Sequence, residues 1–141
     1  LELGGKSASV VFADADWARA ADETTMAVFG NTGQDCCARS RILVQESIHD
    51  DFVNRFADAT RALTVGAPLD ETTALGPMIS ARQREISQEY IALGTDAGAE
   101  LVTGGEVPSA PRRRHRVPGS EEEARGRRLE GPQGPELQRL L

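Results

Sequence analysis

Two residues of this chain carry side chains that are able to do chemistry together. Glu2 lies in Leu-Glu-Leu-Gly-Gly-Lys-Ser at residues 1–7, and Cys36 follows 34 residues later in Gly-Asn-Thr-Gly-Gln-Asp-Cys-Cys-Ala at residues 30–38. A cysteine thiolate is a strong nucleophile, and a positioned carboxylate acts as a general base. Each segment alone is only a hint, because Gly-Gly is often a turn and cysteine is often a small core residue. Together they supply a nucleophile and a base.

The two segments resemble the aldehyde dehydrogenase superfamily. Its members carry a glutamate in Glu-Leu-Gly-Gly-Lys and, further along the chain, a cysteine in Gly-Gln-x-Cys. Similar segments follow at residues 41–45, 65–70 and 75–80, so the resemblance covers residues 1–110. It implies an α/β fold, namely the N-terminal part of the three-layer aldehyde dehydrogenase catalytic domain.

The resemblance also implies a role for each site residue. Cys36 attacks the aldehyde carbonyl while its own backbone N–H helps to hold the oxyanion, hydride passes to NAD or NADP, and Glu2 activates the water that hydrolyses the thioester. The backbone of Leu3 and Gly4 lets the nicotinamide end of the cofactor approach closely. Members that release the acyl group to coenzyme A generally lack this glutamate, so Glu2 favours a free acid product. Cys37 is expected to have no catalytic role.

We interpret the chain as an internal fragment of the catalytic domain that is inactive by itself. The resemblance implies that a cofactor domain precedes it in the parent enzyme, which we expect to be a homo-oligomer acting on a small-molecule aldehyde. Two other interpretations stay open. The chain is a truncated product without a catalytic role, or it is a thiol redox sensor that uses Cys36 and Cys37.

Composition argues against several other classes of protein. Residues 1–110 hold 17 acidic and 8 basic side chains, which gives no electrostatic reason to bind nucleic acid or an anionic membrane. There is no long apolar run and no charged leader, so we predict neither a membrane span nor a signal peptide. Adjacent cysteines close a strained ring when oxidised, which favours free thiols in the cytoplasm. Two adjacent cysteines and distant histidines lack a zinc-site spacing, so no metal is predicted.

The order of apolar and turn-forming segments predicts the elements that position the two motifs. Asp14 and Ser80 are the expected N-caps of the first and third helices. Strands that alternate with helices indicate an α/β layer structure. The predicted strands are residues 8–12, 41–45 and 101–103, and the predicted helices are residues 15–29, 48–63 and 81–97.

The last part of the chain, residues 111–141, has a different composition. An arginine-rich run at residues 112–116 is followed by three glutamates and a Gly-Pro-rich stretch. Composition predicts a disordered, solvated tail. An arginine patch for nucleic acid or an acidic partner is disfavoured, because no aromatic residue interleaves the arginines. A third hypothesis is a reading-frame slip near Arg112, since CGG-type codons read one base later encode the Gly-rich turn expected of the family.

Overall fold

The structure, a computed structural model, describes residues 4–108. Two parallel strands are joined by a helix and followed by two further helices, which agrees with the predicted α/β class. The predicted site residues Glu2 and Leu3 lie outside the described residues, and so does the tail at residues 111–141 with all three hypotheses about it. The elements are strand β1 (Ala8–Val11), helix α1 (Trp17–Phe29), strand β2 (Arg41–Val44), helix α2 (His49–Arg61) and helix α3 (Ala81–Asp96), with short 3-10 segments at Gly30–Gly33 and Glu46–Ile48.

The two strands form a parallel pair. Ala8 lies opposite Arg41, and Val11 lies opposite Val44. Parallel neighbours cannot be joined by a tight hairpin, so α1 makes the crossover between them. Both strands therefore begin at the same edge of the sheet, which brings together the segments that precede them.

The hydrophobic core joins one face of this sheet to α1 and α2. Its buried centre consists of Val11 from β1, Ala21 from α1 and Phe52 from α2. The Phe52 ring stacks on Phe56 with 6.2 Å between ring centroids, so two successive turns of α2 present aromatic surface to the core. The core is completed by the partly buried residues Trp17, Ala20, Ile42, Val44, Ile48 and Phe56.

An ion pair reinforces the packing of α1 on α2. Arg55 donates from Nε and Nη2 to the two carboxylate oxygens of Asp22, at 2.9 and 2.7 Å. The hydrogen bonds from Arg55 hold the pKa of Asp22 below its ordinary value. Since the folded-state pKa is lowered, the pair stabilises the fold above the ordinary pKa of an aspartate and loses this effect as the pH falls through the lowered value.

The other face of the sheet is largely uncovered among residues 4–108. Val10 and Leu43 lie opposite each other in the parallel register, with 59% and 57% of their surface exposed. Alternate residues of a strand point to opposite faces, so the side of the sheet away from Val11 carries an apolar surface that the described residues leave in contact with solvent.

The start of α1 differs from the prediction. Asp14 was the expected N-cap, but the helix begins at Trp17, and Asp16 caps it by accepting the N–H of Arg19 at 3.2 Å. Asp14 instead lies in a turn in which the N–H of Ala15 donates to the carbonyl of Phe12. Asp14 and Asp16 are both residues of a type preferred at helix N-caps. Asp14 lies within the turn that follows β1, so the helix starts after Asp16.

The later elements are confirmed in part. Ser80 caps α3 as predicted, since its hydroxyl accepts the N–H of Gln83 at 3.1 Å. The second helix was predicted to begin at residue 48, but Ile48 ends a 3-10 turn, Glu46–Ile48, and α2 begins at His49. The predicted strand at residues 101–103 is wrong, because this segment pairs with no described strand. The longest described helix, α3, has 16 residues, and no helix in residues 4–108 has the length and apolarity to cross a membrane.

Phe52→Ala is expected to be strongly destabilising. Replacing a buried phenylalanine by alanine removes apolar contacts and leaves a cavity, at a cost of about 3–5 kcal/mol. The matched control is Phe12→Ala, whose side chain is 60% exposed and should cost far less. Urea unfolding followed by circular dichroism measures both. Equal destabilisation by the two variants would show that the core does not lie around Phe52.

Candidate active site

Cys36 lies on the loop that leads into β2. Because β1 and β2 are parallel neighbours, residues 4–7 and residues 34–40 approach the sheet at the same edge. Ala38 is buried, and the N–H of Arg39 donates to the carbonyl of Ala27 in α1 at 3.1 Å. These contacts anchor the loop to α1 and leave Cys36 and Cys37 exposed as free thiols.

A backbone contact at Gly5 joins the two motifs. A Cβ atom at Gly5 would collide with the carbonyl oxygen of Cys36, so this approach requires glycine. Arg41 holds the same turn from the side of β2, because its Nε and Nη2 donate to the carbonyl of Lys6 at 3.0 and 2.6 Å. The Gly-Gly turn predicted from the sequence therefore packs directly against the cysteine loop.

The predicted cofactor-binding position Gly4 lies in this turn. Its φ is +76°, a conformation that side chains other than glycine rarely adopt, and a Cβ atom there would meet nothing within 4 Å. Gly4 is exposed in the structure. The roles predicted for Glu2 and Leu3 stay predictions, since both residues lie outside the described part of the chain.

The segment just before the cysteines is held in a strained conformation. Asn31, Thr32 and Gly33 have φ values of 50°, 59° and 70° in succession. For the β-branched Thr32 the left-handed region costs energy, which neighbouring contacts must offset. One of them is the hydrogen bond from Thr32 Oγ1 to the carbonyl of Gly76 at 3.0 Å. Residues far along the chain therefore fix the approach to Cys36.

Gln34 connects this strained segment to the loop before α3. Its side-chain amide donates to the carbonyl of Asn31 at 3.1 Å, and its Oε1 accepts the N–H of Ile79 at 2.8 Å. In return, Asn31 Nδ2 donates to the carbonyl of Gln34 at 3.0 Å. Sequence reasoning used Gln34 only as part of the cysteine motif and missed this role. Residues 75–80 resemble the family, but that resemblance does not indicate a bond between Ile79 and Gln34.

The two thiols lie close together. Cys36 Sγ and Cys37 Sγ are 3.6 Å apart, and the N–H of Cys37 donates to Asp35 Oδ1 at 3.1 Å. The hydrogen bond with Cys37 raises the pKa of the Cys36 thiol above its ordinary value, and the Asp35 carboxylate raises this pKa further. The readily ionised thiol expected of a nucleophile is therefore not produced by these neighbours.

Two open clefts border the site. One of about 430 Å³ is lined by Gln34, Met78 and Gln83, among others, and a second of about 400 Å³ is lined by Asp35, Cys37 and other residues of the loop. Cys36 lines neither of them. Residues 4–108 therefore position the candidate nucleophile without enclosing it.

Comparison with known proteins identifies the family. Residues 1–117 match the model of the aldehyde dehydrogenase family. The chain belongs to this family. It is 46% identical over 110 residues to a betaine aldehyde dehydrogenase of Sinorhizobium fredii and 48% identical over 106 residues to an aldehyde dehydrogenase of Emericella nidulans. These matches cover 78% and 75% of this chain but only 23% and 21% of the relatives, so the chain spans less than a quarter of their length.

Solved structures of similar proteins have the same fold. HpcC from Thermus thermophilus superposes with a TM-score of 0.75 at 43% identity, over 79% of this chain and 22% of that one. Betaine aldehyde dehydrogenase from Staphylococcus aureus, solved in complex with NAD+, gives a TM-score of 0.76 at 37% identity. This match also covers 79% of this chain and 22% of the other. The described residues are thus a segment of the aldehyde dehydrogenase fold, as the resemblance implied.

Gln34→Leu is expected to loosen the link between the cysteine loop and the loop before α3. The variant removes the acceptor of the Ile79 N–H, and a net hydrogen-bond contribution of ~1 kcal/mol corresponds to roughly fivefold faster amide exchange at Ile79. Gln88→Leu, on the exposed surface of α3, is the matched control. Unchanged exchange at Ile79 in Gln34→Leu would contradict the proposed link.

Removing the neighbours of Cys36 should lower its pKa. Cys37→Ala removes the largest contribution, and Asp35→Asn in that background removes a negative charge while it keeps a hydrogen-bond acceptor for the residue 37 N–H. Each of these substitutions should shift the pH midpoint of Cys36 alkylation downwards. Mass spectrometry of the peptide that contains Cys36 measures the extent of alkylation at each pH. Glu71→Gln serves as the control for a lost negative charge elsewhere. A midpoint that stays constant or rises would contradict the conclusion that Cys37 and Asp35 raise the pKa of Cys36.

Proposed function

We propose that this chain contributes the catalytic cysteine and the general base of an NAD(P)-dependent aldehyde dehydrogenase, which oxidises an aldehyde to a carboxylic acid. The chain spans less than a quarter of its relatives, so the proposal concerns the protein in which the remaining parts of the family fold are present. Alone, the chain is expected to be inactive.

The observation that carries the proposal is the contact between Gly5 and the carbonyl of Cys36. Gly5 stands three residues after Glu2, so the turn that packs on the cysteine loop belongs to the same short segment as the proposed base. A chain of three residues spans at most about 10 Å when extended. This reach supports a site in which the Glu2 carboxylate and the Cys36 thiol act on one substrate.

The Cys36 thiolate would begin the reaction by adding to the aldehyde carbon. This step forms a C–S bond and moves the carbonyl electron pair onto oxygen, which gives a thiohemiacetal. The backbone N–H of Cys36 lies next to the reacting sulfur and donates to the developing oxyanion. Exposure of the thiol supports its availability to a substrate that approaches from solvent.

The nicotinamide end of the cofactor is proposed to lie against the exposed turn at Gly4. When bound, NAD(P) would supply the acceptor for the hydride that leaves the thiohemiacetal carbon, and loss of this hydride gives the thioester. The positive φ at Gly4 and the free space where a Cβ atom would stand suit close approach of a planar ring to the backbone. Leu3 is proposed to share this contact. Relatives solved with NAD+, including the Staphylococcus aureus betaine aldehyde dehydrogenase, support the choice of cofactor.

Glu2 would complete the cycle by activating water. The carboxylate takes a proton from a water molecule as the water oxygen attacks the thioester carbon. The C–S bond then breaks to release the acid and the Cys36 thiolate, and Glu2 gives its proton to the thiolate or to solvent. A cytoplasmic location and a homo-oligomeric parent enzyme complete the proposal. The two free thiols support a reducing compartment.

A chimera provides the test of this mechanism. Residues 1–108 would replace the matching segment of the Sinorhizobium meliloti NAD-dependent aldehyde dehydrogenase, which is 46% identical to this chain. Cys36→Ser should abolish both NADH formation and the acyl-enzyme. Glu2→Gln should keep a first-turnover burst of NADH and slow steady-state turnover by about 10²- to 10⁴-fold, the usual contribution of a general base.

Cys37→Ser is the matched control, because it changes the neighbouring thiol and should retain turnover. Rapid-quench mass spectrometry detects the thioester that accumulates in Glu2→Gln. We would withdraw the base assignment if this variant showed neither slow turnover nor a trapped acyl group.

A further inference from the structure

Three adjacent side chains around the nucleophile form a cluster of ligand atoms. One ligand atom each from Asp35, Cys36 and Cys37 lies within 4.8 Å of the others, and all three residues are exposed. The catalytic proposal uses only Cys36. It gives Asp35 and Cys37 no role in the aldehyde reaction.

The spacing of the sulfurs matches a metal chelate better than a disulfide. Zinc–thiolate bonds of about 2.3 Å at a tetrahedral angle place two sulfurs roughly 3.7 Å apart. Cys36 Sγ and Cys37 Sγ are 3.6 Å apart. A disulfide needs about 2.05 Å and closes a strained ring between neighbouring residues. One cation can thus be bound by both thiols with almost no movement of either sulfur.

We propose that Asp35, Cys36 and Cys37 form a surface site for a thiophilic divalent cation such as Zn²⁺. The two sulfurs and a carboxylate oxygen supply three ligands, and water completes the tetrahedron, as in open zinc sites. Each thiol releases its proton to solvent when its sulfur binds, and no group is oxidised or reduced. No metal was predicted from the sequence, because adjacent cysteines and distant histidines lack the usual zinc-site spacing. The proposed site departs from that prediction, since it uses the Asp35 carboxylate and needs no histidine.

The site has a consequence for catalysis, which rests on the proposed function. A cation bound to Cys36 Sγ occupies the lone pair that would add to the aldehyde, so metal and substrate exclude each other. The binding itself does not depend on that function. Failure of the chimera to oxidise aldehydes would leave the metal site intact as a proposal.

Zinc binding by the full chain of residues 1–141 tests the site. Zn²⁺ alone is titrated in competition with a chromophoric chelator, with a phosphine reductant present to keep both thiols reduced. The expected result is one zinc per chain. Cys37→Ala should weaken binding by on the order of 100-fold, the scale on which a second tethered ligand raises affinity. Asp35→Asn should weaken it less, and Asp51→Asn, a carboxylate on α2, should not change it.

Cobalt provides a second measurement that identifies the ligands. Co²⁺ bound to both thiolates should give sulfur-to-metal charge-transfer absorption that disappears in the double variant Cys36→Ala with Cys37→Ala. Because both side chains are exposed, the helix content of the variants should match that of the parent chain by circular dichroism. The proposal is overturned if the double variant binds zinc as tightly as the parent chain, if Cys37→Ala has no effect, or if one ion bridges two chains.

In the chimera, zinc should inhibit turnover, and Cys37→Ala should relieve this inhibition while it keeps the activity. If turnover is active but insensitive to zinc, the inhibitory consequence is wrong. If turnover is absent while zinc still binds with the expected variant pattern, the proposed function is wrong and the metal site stands.

Discussion

The contact between Gly5 and the carbonyl of Cys36 is the constraint on which the site depends. It exists because β1 and β2 are parallel neighbours, so the segments that precede them meet at one edge of the sheet. Glycine is required there for steric reasons, since a Cβ atom would collide with backbone that cannot move aside. A substitution at Gly5 would therefore separate the two motifs even though it changes no reacting group.

The parallel pair in turn depends on the packing of α1. This helix crosses from one strand to the next, and its position is set by the core around Ala21 and by the ion pair between Asp22 and Arg55. The loop that carries Cys36 leaves from the end of the same helix, through a left-handed stretch that Thr32 and Gln34 tie to the loop before α3. Contacts with α1 and contacts with the loop before α3 therefore both position the loop that carries Cys36.

Short-range patterns predicted much of this fold, and contacts between distant residues account for what they missed. The cap at Ser80 follows from its own sequence neighbourhood and is confirmed. The start of α1 was misplaced because Asp14 and Asp16 give the same local signal. The strand predicted at residues 101–103 is absent because a strand needs a partner as well as apolar residues. The bond from Ile79 to Gln34 spans 45 residues, so no local pattern reports it.

The residues around Cys36 affect two properties of this thiol in opposite directions, namely the fraction that is ionised and the nucleophilicity of the ionised form. Cys37 and Asp35 raise the pKa of the thiol, so the thiolate fraction near neutral pH falls about tenfold for each unit of increase. A more basic thiolate is also more nucleophilic, but only by roughly threefold per unit, because the Brønsted coefficient is about 0.4–0.5. Because the thiolate fraction falls more than the nucleophilicity rises, the raised pKa lowers the reactivity of Cys36 near neutral pH. Residues 4–108 therefore fix the position of the sulfur, but Cys37 and Asp35 do not give Cys36 the lowered thiol pKa that would favour the proposed reaction.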